Sequence, residues 1–246
     1  MAGSTLERGA RGRAPALSLS VLGSFELRAD EQAFGVPAAA ERLVAFLALR
    51  GGSAKRPHVA GTLWPDASER QAFGSLRSAL WRLRGAGGDV VVGDQTTLRL
   101  APEVAVDLRQ AERLARRLLD PTHPPAETDL GLASVDILSA DLLPDWYDDW
   151  ALLEAEAWRQ LRLHALEALT GHLADAGRFG EALMAAMATV RSEPLRESGH
   201  ASVITVHVAE GNYVEARRQY DRYRHLLHAE LGLEPTPRLK ALVATP

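Results

Sequence analysis

Four arginines recur along one short stretch, Arg70, Arg77, Arg82 and Arg84 within ERQAFGSLRSALWRLR at 69–84. No acidic residue falls between Arg70 and Gly88. A guanidinium is a permanently charged planar fork that grips a phosphate, or the O6 and N7 edge of guanine, with paired hydrogen bonds. Phe73, Leu76, Leu80 and Leu83 fall at offsets of 0, 3, 7 and 10, one apolar stripe on a helix. The stripe predicts a helix over 69–84 with Gln71, Ser75, Ser78 and Arg82 opposite it, and Arg70, Arg77, Trp81 and Arg84 on its flanks. In that reading Arg82 meets a base edge, while Arg70, Arg77 and Arg84 hold phosphates. Trp81 fits either the edge of the core or a nucleic-acid backbone.

The neighbouring elements must aim this helix. LSLSVLGSFELRADEQAFGV at 17–36 alternates apolar and polar residues between turn signals, which predicts two or three short strands. AAAERLVAFLALR at 38–50 predicts a helix closed by Gly51 and Gly52. RPHVAGTLW at 56–64 predicts a shorter one with Pro57 in its first turn, Trp64 in the core and Ser68 capping the helix that follows. Gly85, Gly87 and Gly88 stop the arginine-bearing helix, and DVVVG and TLRL around Asp94-Gln95-Thr96 predict a hairpin. Strands, three helices and a hairpin make the order of a winged helix, whose third helix enters a major groove while the hairpin lies on neighbouring backbone. Lys55 and Arg56 before the second helix are then candidates for a phosphate. Thr96, Thr97 and Arg99 on the hairpin are candidates for backbone or minor-groove contact. Arg8, Arg11 and Arg13 in an expected disordered arm, 1–16, would add affinity without specificity.

Charge divides unevenly. Residues 1–108 hold 13 lysines and arginines against 11 acids, and residues 109–246 hold 15 against 21. A net of +2 does not by itself make a basic domain, but the asymmetry permits a DNA-facing N-terminal half in a chain whose net charge is −4. There are no cysteines, which removes disulfides, thiol catalysis and thiolate metal sites, and fits a reducing cytoplasm. No run of about 18 apolar residues predicts a membrane span. The N-terminus lacks the apolar core of a secretory signal. His225 and His228 are three apart and have no HExxH context. Trp146, Tyr147 and Trp150, among Asp145, Asp148 and Asp149, read as a helix start anchored on a core, with the acids near its positive end. No nucleophile elbow is present. No catalytic, cofactor or metal residues are assigned, and the chain is expected not to be an enzyme.

Past Asp107 the pattern turns helical: DLRQAERLARRLL at 107–119, a proline-rich loop at 120–131, and helices from 150 onward. ADAGRFGEAL at 174–183 aligns with VAEGNYVEAR at 208–217 at an offset of 34. Gly177 pairs with Gly211, Phe179 with Tyr213, Glu181 with Glu215 and Ala182 with Ala216. That is the tetratricopeptide period, with glycine at the turn and small residues where helices cross. The fold class is therefore an α+β winged helix-turn-helix domain at 17–106, followed by an all-α tetratricopeptide-like domain at 107–246.

LSVLGSFELR, LWPD at 63–66, SLRSALWRLR at 75–84, LLPDWYDDWALLEAE at 142–156 and ELGLEPTPRLKAL at 230–242 resemble, in this order, the Streptomyces antibiotic regulatory protein type of activator. That type joins an OmpR-like winged helix to a bacterial transcriptional activator domain. The resemblance implies binding of double-stranded DNA at promoter direct repeats, pairing of two protomers there, and recruitment of RNA polymerase with its sigma factor, to control a biosynthetic gene cluster. No GxxxxGK[ST] loop marks an ATPase module and no receiver domain is recognised, so the short architecture is expected. Two other readings stay open: a protein-interaction scaffold whose winged helix does not bind DNA, and a ligand-sensing regulator.

Overall fold

A computed structural model describes residues 16–30, 32–84 and 89–244. The expected arm with Arg8, Arg11 and Arg13, and the expected stop at Gly85, Gly87 and Gly88, lie outside the described residues. Two compact units divide at Val106 and Asp107, with residues 22–24 grouping with the second.

The first unit opens with β1 (Leu17–Ser20), β2 (Glu26–Ala29) and β3 (Gln32–Ala33), paired antiparallel in sequence. Leu19 faces Leu27 across the first pair, and both are buried. Then come α1 (Ala38–Arg50), β4 (Ala54–Lys55), α2 (Arg56–Leu63), α3 (Glu69–Arg84), β5 (Val91–Gly93), β6 (Thr97–Leu100) and β7 (Ala105–Val106). β7 returns to pair parallel with β1, giving the order β3-β2-β1-β7. β4, β6 and β5 form a second sheet. This is the winged helix-turn-helix arrangement. Pro37 precedes α1, and Gly51 in a left-handed conformation ends it.

α3 packs on α1 and α2 through Ala72, Leu76, Ala79 and Leu83, all buried. The expected stripe is thus turned by roughly 50° at about 100° per residue. Phe73 and Leu80 are only half-buried. The cause is the size of the residues: two alanines let α3 lie close to its neighbours, and the larger side chains flank that contact. A fully buried leucine contributes about 1.5–3 kcal/mol, against about 0–1 kcal/mol for an exposed ion pair. The apolar face therefore decides how α3 is turned. Trp64, expected in the core, is half-buried, and Trp81 is 75% exposed, outside it.

The second unit is helical: α4 (Asp107–Leu118), a 3-10 turn (Glu127–Asp129), α5 (Leu132–Ser139), α6 (Asp149–Asp175), α7 (Phe179–Ser192), α8 (Glu197–Ala209), α9 (Tyr213–Leu231) and α10 (Pro237–Leu242). Successive helices from α6 to α9 pack on one another. The two repeat turns match bond for bond. Gly177 and Gly211 have φ of +72° and +84°. Gly177 N donates to Ala174 O and Arg178 N to Leu173 O, while Gly211 N donates to Val208 O and Asn212 N to His207 O. Ala182 and Ala216 are buried one turn into the following helix. The tetratricopeptide-like fold thus rests on the residues that carry the internal similarity.

α5 lies in a stretch where the sequence predicts no helix. Eight residues with no side-chain cap are marginal alone, and this helix draws its stability from packing on α6 and α7. Its exit is pinned from α6: Trp158 Nε1 donates to Ala140 O at 2.9 Å, and the buried Arg162 donates to Ser192 Oγ at 3.0 Å and to the Asp141 carboxylate. At the start of α6, Trp146 and Trp150 are half-buried and meet edge to face, 6.0 Å between centroids. Tyr147 is 80% exposed, so two of the three aromatics serve as anchors.

A buried polar cluster joins α8 to α9. His200 Nε2 lies 2.9 Å from Pro194 O and its Nδ1 lies 2.9 Å from Gln219 Nε2, with the ring stacked on Tyr223. The neutral ring satisfies both contacts, donating from Nε2 and accepting at Nδ1. Burial depresses the His200 pKa below 6.5. The unfolded chain therefore takes up this proton first as pH falls. Stability contributed by neutral His200 is present above about pH 6.5 and is lost below it, with a slope approaching about 1.4 kcal/mol per pH unit. Denaturant melts between about pH 7.5 and pH 5 are expected to flatten in His200→Asn relative to the unsubstituted chain; parallel curves would refute the assignment.

Candidate nucleic-acid interface

The surface of α3 follows from how its apolar face is seated. Gly74 and Trp81 occupy the middle of the outward side, with Ser78 beside them. Arg70, Arg77 and Arg84 lie on one flank, and Gln71, Ser75 and Arg82 on the other. Arg70, Gln71, Arg77, Ser78, Arg82 and Arg84 are exposed, and Ser75 is half-buried. A shallow cleft runs beside the helix, lined by Trp64, Gln71, Ser75, Arg77, Trp81 and Arg82 with Ala39 of α1. Ser78 Oγ donates to Gly74 O at 3.0 Å, so its outward capacity is that of an acceptor. At the start of α3, the Ser68 amide and hydroxyl both donate to Gln71 Oε1, at 3.1 and 2.7 Å. Gln71 is thereby held at the first turn.

Among the described residues, no carboxylate pairs with Arg70, Arg77, Arg82 or Arg84. The helical unit behaves differently. There eight of fourteen arginines, Arg116, Arg117, Arg159, Arg162, Arg178, Arg196, Arg217 and Arg218, each meet an aspartate or glutamate. Among the described residues, the α3 arginines thus form a concentrated positive field with no paired carboxylate, the condition for attracting an external polyanion.

The hairpin is organised by a residue outside the sequence-based candidates. The Asp94 carboxylate accepts from the amides of Thr96 and Thr97, both at 2.7 Å, and from the Thr96 hydroxyl at 2.7 Å. The Thr96 hydroxyl bond, followed by the two amide bonds, lowers the Asp94 pKa to about 2. An aspartate two and three residues before its donors is an Asx turn, a signal that D-Q-T-T carries. Gly93 is required beside it: a Cβ there would lie 2.2 Å from Thr97 O. Arg56 is drawn into the same turn. Its Nε donates to Asp94 O at 2.8 Å and its amide to Thr96 O at 2.9 Å, and it is half-buried. Lys55, opposite Thr97 in the sheet, and Arg99 are exposed. The structure therefore brings Lys55, Thr97 and Arg99 onto one small sheet, and Arg56, Thr96 and Thr97 all bond within its turn.

The family model for the bacterial transcriptional activator domain matches residues 106–245. The chain belongs to the bacterial transcriptional activator domain family. Two curated regulatory proteins extend the likeness beyond that domain. AfsR of Streptomyces coelicolor is 28% identical over 238 residues, 92% of this chain, and AfsR of Streptomyces griseus is 26% identical over 93% of it. The chain spans about a quarter of the length of these relatives, 24% of each. A structure of Mycobacterium tuberculosis EmbR, in complex with a low-affinity phosphopeptide, matches with a TM-score of 0.72 at 21% identity, covering 93% of this chain and 64% of that one, and so shares the fold. With the winged helix before its bacterial transcriptional activator domain, the chain is of the Streptomyces antibiotic regulatory protein type. No helix among the described residues is long and apolar enough to cross a membrane.

Asp94→Ala is expected to speed amide hydrogen exchange at Thr96 and Thr97 at neutral pH. In the unsubstituted chain the depressed pKa keeps the carboxylate charged, so protection of these amides persists until pH falls towards about 2. Equal exchange in both proteins would show that the carboxylate does not hold the turn.

Proposed function

We propose that this protein is a sequence-specific, DNA-binding transcriptional activator that acts by binding alone, without catalysis. The observation that carries the reading is the set of four exposed arginines on α3, unpaired among the described residues, on the third helix of a winged helix joined to a bacterial transcriptional activator domain. Arg82 reads a base edge, and Arg70, Arg77 and Arg84, together on one flank of α3, hold phosphates. Gln71, Ser75, Ser78 and Trp81 line the same face. Lys55, Thr97 and Arg99 meet the adjacent backbone, with Arg56 and Thr96 keeping the hairpin in shape. Two protomers occupy direct repeats at a promoter, and the helical domain supplies protein contacts to RNA polymerase and its sigma factor.

Selection of duplexes from a randomised DNA library with the full chain tests this directly. Enrichment of direct repeats about 10–11 base pairs apart is expected, with affinity for the enriched duplex falling steeply between about 50 and 200 mM salt. A failure to enrich any duplex would reject DNA binding and favour the scaffold alternative. Arg82→Ala is expected to weaken binding of the enriched duplex by about 1–3 kcal/mol and to relax specificity at one position. Unchanged affinity in that variant would remove Arg82 from the base-reading role.

A further inference from the structure

Gly74 stands near the middle of α3 and at the centre of its outward face. Glycine is a poor residue for a helix interior, because it surrenders the most backbone freedom on folding. Nothing among the described residues of the domain calls for it here. Gly74 does not have a positive φ. A Cβ built on it would find only Arg77 Nη2, at an ordinary 3.9 Å. Gly93 is the opposite case, where the fold itself leaves no room. Gly61, Gly171 and Gly180 are also unhindered helical glycines, but Gly74 differs in its surroundings. It is flanked by arginines that meet no carboxylate among the described residues, and it shares the outward face with Trp81, 75% exposed. Its carbonyl is occupied by the Ser78 hydroxyl. The result is a half-buried notch of backbone on the cationic face, in the cleft that Arg77, Trp81 and Arg82 also line.

We infer that Gly74 is the point at which the backbone of α3 comes closest to double-stranded DNA, seating a base-pair edge on the floor of the major groove in the notch beside Trp81. A base edge is flat and rigid, and each atom added to the helix at that point holds the two apart. Glycine allows the approach, and the helix gives up some stability in return. This inference rests on the DNA-binding reading above.

Gly74→Ala separates the possibilities because its two effects run in opposite directions. The probe is the duplex enriched by the full chain from the randomised library, with a scrambled duplex of equal length as control. Better helix propensity is expected to raise Tm by about 2–4 °C. Affinity for the enriched duplex is expected to fall about tenfold or more, while affinity for the scrambled duplex, held by phosphate contacts, stays the same. Retention of enriched-duplex affinity within about twofold, alongside a loss in Arg82→Ala, would overturn the close approach and leave the DNA-binding reading standing. Retention in both variants, or a selection that enriches no duplex, would overturn the reading and this inference with it. A fall in Tm would place the need for glycine inside the fold and overturn the inference.

Discussion

The seating of α3 on α1 and α2 is the constraint from which the candidate interface follows. Ala72 and Ala79 let the helix backbones approach, and Leu76 and Leu83 fill the space between. Once those four residues are buried, every other position on the helix has its direction assigned. The arginines do not set the direction, because an exposed cation gains little from any particular placement on a protein surface. They take the side that the apolar face leaves open. A cationic surface with no paired carboxylate among the described residues is thus a by-product of packing, available for recognition.

The hairpin obeys a related economy. Its turn is held by one carboxylate that accepts two amides and a hydroxyl, and by an arginine from α2 that bonds the turn's own carbonyl. Three short strands, β4, β6 and β5, then present Lys55 and Arg99 to solvent. Polar residues that looked alike as candidate contacts therefore divide into two kinds. Asp94, Thr96 and Arg56 are consumed in shaping the turn. Lys55 and Arg99 have no such task among the described residues.

The helical unit relies on repetition and on a few buried polar ties. Two glycine turns with matching hydrogen bonds set the reversal from α6 to α7 and from α8 to α9, and the small Ala182 and Ala216 let the paired helices close. Trp158 and Arg162 fasten the irregular exit of α5 by donating to the half-buried carbonyls of Ala140 and Ser139. His200, Gln219 and Tyr223 satisfy one another between α8 and α9. Eight of the fourteen arginines of this unit are engaged in ion pairs, whereas among the described residues the four on α3 meet no carboxylate.

Much of this was legible in the residues alone. The bounds of α1 and α3, the hairpin, the helical second unit and the repeat of 34 follow from periodicity and turn chemistry, which are local properties of the chain. The two-residue strands β4 and β7 and the short helix α5 were not, because elements of that length exist only through their partners. The rotation of α3 was also decided in three dimensions. In the sequence Phe73 and Leu80 are more hydrophobic than Ala72 and Ala79. In the folded unit the alanines are buried, because the closeness of two helices rewards small side chains at the crossing. Residue types thus determined that a cationic helix would exist and where it lies in the chain. Only tertiary packing decided which of its residues stand at the centre of the exposed face, since that choice depends on the shape of the neighbours rather than on the helix itself.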